Sequence, residues 1–247
     1  MRETIDNPEK SPNGYTGGDL YRKEENHEAP TRKDRTVRVL VAGANGQVGQ
    51  QVVRFLAERG HEVRAMIRNE DQAPHLRELG GEPIVADLEG EVAHTVEGCD
   101  AVIFSAGGGP GSGAEKKETV DRQGAVKLIE AAKEHGARRY VMVSAMGAAD
   151  PESGSEAMQP YLFAKARADQ ALEESGLDYT IVRPGSLTDE AGSGTVEAAE
   201  SLGRRGEIPR EDTARVIAVT LEAENTLGKT FEVLSGDTPV EEAIARL

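Results

Sequence analysis

The feature that most constrains this chain is an alternation. From Thr36 onward, short apolar runs such as Val37-Arg38-Val39-Leu40-Val41-Ala42 alternate with longer amphipathic stretches. A parallel strand buried on both faces needs a nearly continuous apolar run, whereas a helix lying on a sheet needs only an apolar stripe. The alternation of the two is the pattern of an α/β protein built on a doubly wound parallel sheet.

Read element by element, strands are expected at 37–42, 62–67, 83–86, 101–105, 140–144, 178–183 and 230–234. Helices are expected from the glycines after the first strand to about Arg59, at 71–79, around 92–97, in a long stretch ending near His135, and at 161–174 and 211–221. In the long helix Ala125, Leu128, Ile129 and Ala132 share a face, with Lys127 and Lys133 turned away. A last helix opens over Thr238-Pro239-Val240-Glu241-Glu242, with proline in its first turn. Glycine-rich and polar loops are expected at 107–113 and through Pro160. Residues 1–35, rich in Asn, Pro, Gly, Glu and Lys, lack apolar periodicity and are expected to be a disordered extension. Residues 36–247 then form one domain whose regularity weakens beyond Pro184, with the substrate region mainly at 186–210.

Charge and cysteine usage exclude several functions. Forty-four acids against 29 bases give a net charge of -15, almost all of it after residue 36. Such a surface repels nucleic acid and anionic membranes, so neither is expected as a partner. It fits a solvated surface suited to high salt as well as an ordinary acidic cytoplasmic protein. No apolar run approaches the roughly 20 residues that span a bilayer, and the polar start shows no signal peptide. One cysteine, Cys99, rules out an internal disulfide and fits a reducing cytoplasm. The five histidines are scattered, so no metal site is expected. The partner expected is a small molecule, bound by a monomer or homodimer.

The string Gly43-Ala44-Asn45-Gly46-Gln47-Val48-Gly49 stands where the first strand turns into the first helix. Bare backbone at such a junction lets a pyrophosphate approach the helix N-terminus. Gly43, Asn45, Gly46, Gln47, Val48 and Gly49 are therefore candidate cofactor-binding residues of a Rossmann-type sheet. The second strand ends Met66-Ile67-Arg68-Asn69, with no acid before Glu70. An acid at that point binds the ribose hydroxyls of NAD, whereas a cation suits the 2'-phosphate of NADP. Arg68, with Arg64 as a second candidate, points to NADP over NAD. Asp87 and Leu88 follow the third strand, where a carboxylate can accept from an adenine amino group. Ala106 and Gly107 end the fourth strand, where small residues leave room for the cofactor.

Tyr161 and Lys165, four apart, share a helix face, and Ser144 closes the preceding strand. If the three meet, Lys165 and the nicotinamide charge lower the phenol pKa and make Tyr161 an acid/base near neutrality. Ser144 then holds a substrate carbonyl, and Lys165 also binds ribose hydroxyls. Leu187, Val196, Leu202 and Ile208 are candidates for an apolar pocket or for core beneath a cap.

With these motifs in place, the chain resembles the short-chain dehydrogenase/reductase superfamily, in its atypical branch related to NAD(P)-dependent epimerases and dehydratases. The likeness rests on Val39 to Gly49, Val63 to Arg68, Val85 to Leu88, Ala101 to Gly107, Ser144 to Met146, Tyr161 to Lys165 and Leu177 to Gly185. The last segment adds Pro184 to the expected cofactor contacts. The resemblance implies an NADP-dependent oxidoreductase that moves hydride to or from a small carbonyl or alcohol, with Tyr161 as acid/base. It also places Asp121 where the superfamily's catalytic tetrad has Asn, which puts the proton relay in question. The chain is short for an extended epimerase, which argues against a nucleotide-sugar substrate. Two alternatives follow from the same branch: hydride transfer like that of flavin or biliverdin reductases, without need of Tyr161, and a non-catalytic NADP-sensing regulator.

Overall fold

The computed structural model describes residues 36–109 and 111–247; the extension expected over 1–35 lies outside the described residues. A nine-stranded sheet forms the centre. Its parallel part runs in the order β3 (Gly81–Val85), β2 (Glu62–Ile67), β1 (Arg38–Ala42), β4 (Ala101–Phe104), β5 (Arg139–Val143), β6 (Asp178–Pro184) and β10 (Lys229–Ser235). Beyond β10 come β8 (Thr195–Ala199) and β11 (Thr238–Pro239), each antiparallel to its neighbour. The chain leaves β1 toward β2 and later returns to β1's other side as β4. The strand order therefore reverses between β1 and β4, which opens a crevice at their C-terminal ends. The Rossmann-type doubly wound sheet is as expected.

Side chains alternate across the strands and divide the core in two. Val39, Val41, Ile103 and Val141 face one layer, which α1 (Gln47–Glu58), α2 (Ala73–Glu78), α6 (Arg210–Glu222) and α7 (Val240–Ala245) complete. Leu40, Val102, Phe104 and Met142 face the other, under α4 (Ala125–His135) and α5 (Gln159–Glu173). The expected stripe Ala125, Leu128, Ile129 and Ala132 is fully buried there.

Several expectations need correction. The 186–210 stretch is not irregular throughout: it holds β7 (Ser186–Thr188) and β9 (Glu207–Pro209), which pair in parallel, and β8. These strands are short, and β8 is specified by its pairing with β10 rather than by its own apolar content. Val196 and Ile208 are fully buried core, so they do not line a pocket, and Leu187 packs against that core. The helix expected around 92–97 is a single 3-10 turn, Ala93–Thr95. Pro160 lies inside the first turn of α5, where its missing N–H costs nothing. Pro239, by contrast, ends β11 and precedes α7. Between α3 (Ala114–Lys116) and α4 the helix widens into a π-helical stretch, Lys117–Gly124. Among the described residues, no helix is long and apolar enough to cross a membrane, and no cluster of His, Cys, Asp or Glu could hold a metal ion.

The C-terminal end of α6 is tied to the N-terminal edge of the sheet by charge. Glu222 accepts both Arg59 Nε and Nη2 at 3.1 and 2.9 Å and lies 3.0 Å from His61 Nε2. Burial alone pushes the Glu222 carboxyl up, but the hydrogen bonds from His61 and Arg59 outweigh it and hold the group at about 2. A carboxyl held below its unfolded value stabilises the fold above that value and stops doing so as pH falls. Stability should therefore fall as pH drops from about 4.5 toward about 2. Urea titrations across that window should show Glu222→Gln less stable at neutral pH by on the order of 2 kcal/mol and less sensitive to acid.

Candidate active site

The crevice between β1 and β4 continues into a cleft of about 420 Å³. Its floor is the β1–α1 turn. Gly43 has φ +83°, and a Cβ there would stand 2.7 Å from Ala106 Cα, so only glycine lets this turn lie against the end of β4. A Cβ on Gly49 would come 2.1 Å from the Gly43 carbonyl oxygen, so the first turn of α1 can close onto the loop only without one. Gly46 caps α1 without a side chain, and no acid occupies the helix's first turn. The unsatisfied N–H groups of a helix start, with their positive end of the helix dipole, suit a pyrophosphate.

Of the residues expected to bind cofactor, Gly43, Asn45, Gly46, Arg68, Asp87, Leu88, Ala106 and Gly107 all line this cleft. Gln47, Val48, Gly49, Lys165 and Pro184 do not. Gln47 turns its amide to Asp189 at 3.4 Å, Val48 packs against the core, and Pro184 is buried in β6. Arg64 is also elsewhere, donating to the Thr95 and Glu97 carbonyls at 2.8 Å each. Arg68 stands at the cleft with its backbone N–H on Gln72 Oε1. Asp87 Oδ1 accepts the Glu89 N–H at 3.0 Å, which shapes the loop after β3. Glu89 in turn joins Lys116 and Thr119, linking the two walls of the cleft. Sequence reading missed this link, because nothing local pairs residues so far apart.

The cluster around Tyr161 and Lys165 adjoins the cleft through Ala106. Lys165, almost fully buried, donates to the Val143 carbonyl at 2.9 Å and to the Ala106 carbonyl at 3.3 Å. Asp121 Oδ1 lies 3.7 Å from the same ammonium, while Asp121 Oδ2 accepts the Gly108 N–H at 2.8 Å. The Tyr161 ring is half-buried, 5.9 Å from Lys165 Nζ and 5.2 Å from Lys117 Nζ. Tyr161, Lys165 and Asp121 thus lie close together, and Ser144 joins the same helix stripe through Asp169; two details differ from expectation. In the protein alone, burial and then the charges of Asp121 and Asp169 push the phenol up, against the expected lowering by Lys165. The Ser144 hydroxyl donates inward to Asp169 Oδ2 at 2.8 Å, and Arg183 Nε and Nη2 hold the same oxygen at 3.1 and 2.9 Å. Burial pushes the Asp169 carboxyl up, opposed by Arg183 and Ser144. Asp169 escaped the sequence reading, yet a signal was present: 161, 165 and 169 are spaced by four, one stripe along α5.

A model of the NAD(P)H-binding family matches residues 43–224. The chain belongs to that family. YhfK of Bacillus subtilis (strain 168), by name an uncharacterized sugar epimerase, is 46% identical over 215 residues, covering 85% of this chain and all of YhfK. A solved structure from Bacillus halodurans, described as an NAD-dependent epimerase/dehydratase, is 46% identical with a TM-score of 0.84, covering 85% of this chain and all of that one. The oxidoreductase ylbE from Lactococcus lactis is 28% identical with a TM-score of 0.76, covering 85% and 96%. This NAD(P)H-binding protein is an atypical short-chain dehydrogenase/reductase of the epimerase/dehydratase-like kind, and an NAD(P)-binding oxidoreductase. The cleft fits the dinucleotide, since the loop at Gly43 presents bare backbone at a helix start.

The close approach of Gly49 makes a direct prediction. Gly49→Ala should destabilise the fold by about 2–4 kcal/mol, because the methyl must displace the Gly43 carbonyl. Urea denaturation measures the loss, and NADPH titration of the folded fraction should show weakened binding.

Proposed function

We propose that the protein is an NADP-dependent oxidoreductase that reduces a carbonyl, or oxidises an alcohol, on a small molecule. The observation that carries this reading is the continuity of one site: a single cleft joins the glycine turn to Arg68, and its Ala106 is held by the buried ammonium of Lys165. Arg68 supports NADP, because a planar guanidinium at the end of β2 suits a 2'-phosphate and no carboxylate competes there before Glu70. Bound NADPH supplies hydride.

The chain's own residues would do the rest. Gly43, Asn45 and Gly46 present backbone to the pyrophosphate, and Asp87 and Leu88 border the adenosine. Tyr161 holds the proton delivered to the substrate oxygen as the carbonyl carbon takes hydride. Lys165 and Lys117 stabilise the phenolate left behind, offsetting the carboxylates that otherwise favour the neutral phenol. Asp121, in the place of the usual Asn, keeps Lys165 in position. Substrate enters between the 107–118 stretch and the 186–210 region of the same domain.

One observation favours a second reading. The Ser144 proton is committed to Asp169 and the phenol is held above its usual value, which suits hydride transfer to a planar acceptor that needs no proton from Tyr161, as in flavin or biliverdin reductases. A non-catalytic NADP sensor would use the cleft and ignore Tyr161 altogether.

Two measurements separate these readings. Fluorescence titration should show NADPH binding more tightly than NADH, with Arg68→Ala weakening NADPH roughly tenfold or more and leaving NADH little changed. Equal binding of both nucleotides by the wild type would remove the case for NADP. Tyr161→Phe should lower NADPH-dependent carbonyl reduction by about 10²–10⁴-fold with NADPH affinity retained. Full activity in that variant would shift the assignment to acceptor reduction.

A further inference from the structure

Resting on the proposed hydride-transfer site, we infer that its substrate is an anion: a carbonyl compound with an apolar body and a carboxylate, the carboxylate being taken by Lys117. Most cations of the elements that build this cluster are neutralised. Lys165 faces Asp121, Arg183 holds Asp169, Arg122 pairs with Glu118, and Lys116 pairs with Glu89. Lys117 stands among them without a carboxylate in ion-pair distance among the described residues. Its Nζ donates to the Gly109 carbonyl at 2.9 Å and lies 5.2 Å from the centre of the Tyr161 ring. A carbonyl and a π-face are neutral ligands, so they position the ammonium and leave its full charge available.

The setting gives that charge weight. The chain carries -15, and its long-range field pushes anions away. A substrate with a carboxylate therefore needs a local cation, and Lys117 supplies one beside the phenol that serves the reacting oxygen. The ammonium retains two N–H donors for the ligand after Gly109, which suits a singly charged carboxylate. The apolar half has its counterpart one helical turn before Tyr161. Met158, three residues earlier at the start of α5, is 47% exposed and, with Val85, is one of two large apolar side chains exposed among the described residues. Val85 lies on β3 at the edge of the sheet, whereas Met158 adjoins the phenol in sequence and helix. The π-helical stretch explains the placement of the cation, since the widened turn carries Lys117 onto Tyr161 and Asp121 onto Lys165 from one element.

The test uses benzoylformate, which unites an aryl body, a carbonyl and a carboxylate, and its uncharged methyl ester. Both are titrated by calorimetry into the full-length protein, with and without saturating NADP⁺, for the wild type, Lys117→Gln and Lys117→Arg. Benzoylformate should bind the wild type more tightly than the ester, and more weakly as salt is raised. Lys117→Gln should weaken benzoylformate roughly tenfold and leave the ester unchanged, while Lys117→Arg should retain the preference. Unchanged melting temperatures in both variants, expected for a half-exposed side chain, tie the loss to the ligand. The inference is overturned if the ester binds the wild type as well as the acid does, if Lys117→Gln leaves benzoylformate unaffected, or if neither compound binds. Failure of NADP⁺ to bind would instead remove the hydride-transfer reading, and the anion preference is then decided on the cofactor-free protein.

Discussion

The buried ammonium of Lys165 is the point on which the site's geometry depends. A charge taken out of water persists only when it is paired and its donors are satisfied. Lys165 donates two hydrogen bonds to the carbonyls at the ends of two neighbouring strands, and a carboxylate of the π-helical stretch 3.7 Å away supplies countercharge. Each partner fixes a different element. The Val143 and Ala106 carbonyls dock α5 on the C-terminal ends of β5 and β4, and Asp121 brings the widened helix down beside it. Through its second oxygen Asp121 also holds the Gly108 N–H, so the glycine loop that borders the cleft is positioned by the same charge. The acid at this position gives the ammonium a nearby countercharge that the Asn of the superfamily's tetrad would not.

The sheet was largely legible because its physics is local. Parallel strands covered on both sides must be apolar on both faces, so runs such as Ala101 to Phe104 declare themselves, and Gly43, Gly60 and Gly136 mark turns. The cleft was legible for a related reason, since glycine turns and strand ends map directly onto positions along the sheet's edge. What escaped was specified from a distance. β8 exists through its ladder with β10, and the Glu89–Lys116 link spans two loops. The π-helical stretch Lys117–Gly124 is polar throughout most of its length and has no pattern of its own. Its widening is tied to the contacts of Lys117 and Asp121 with α5. Arg64 was misplaced for the complementary reason: its position on β2 resembles that of Arg68, but its side chain reaches the backbone of the 95–97 turn on the far side.

Ser144 shows how a motif can be right in position and different in polarity. A hydroxyl has one proton to donate and two lone pairs to accept with. Here the proton goes to Asp169, whose oxygen is simultaneously gripped by Arg183, and the backbone N–H of Ser144 is already bonded to Val182. What Ser144 keeps for a ligand is acceptor capacity alone. The other hydroxyl of the cluster is the Tyr161 phenol, which burial first, and then the charges of Asp121 and Asp169, hold in its protonated form. In the proposed reaction that proton is the one delivered, and the two lysines beside the ring would stabilise the phenolate it leaves. On the proposed reading, proton supply and substrate charge would be linked through one residue, since the Lys117 ammonium that steadies a phenolate would also draw a carboxylate to it.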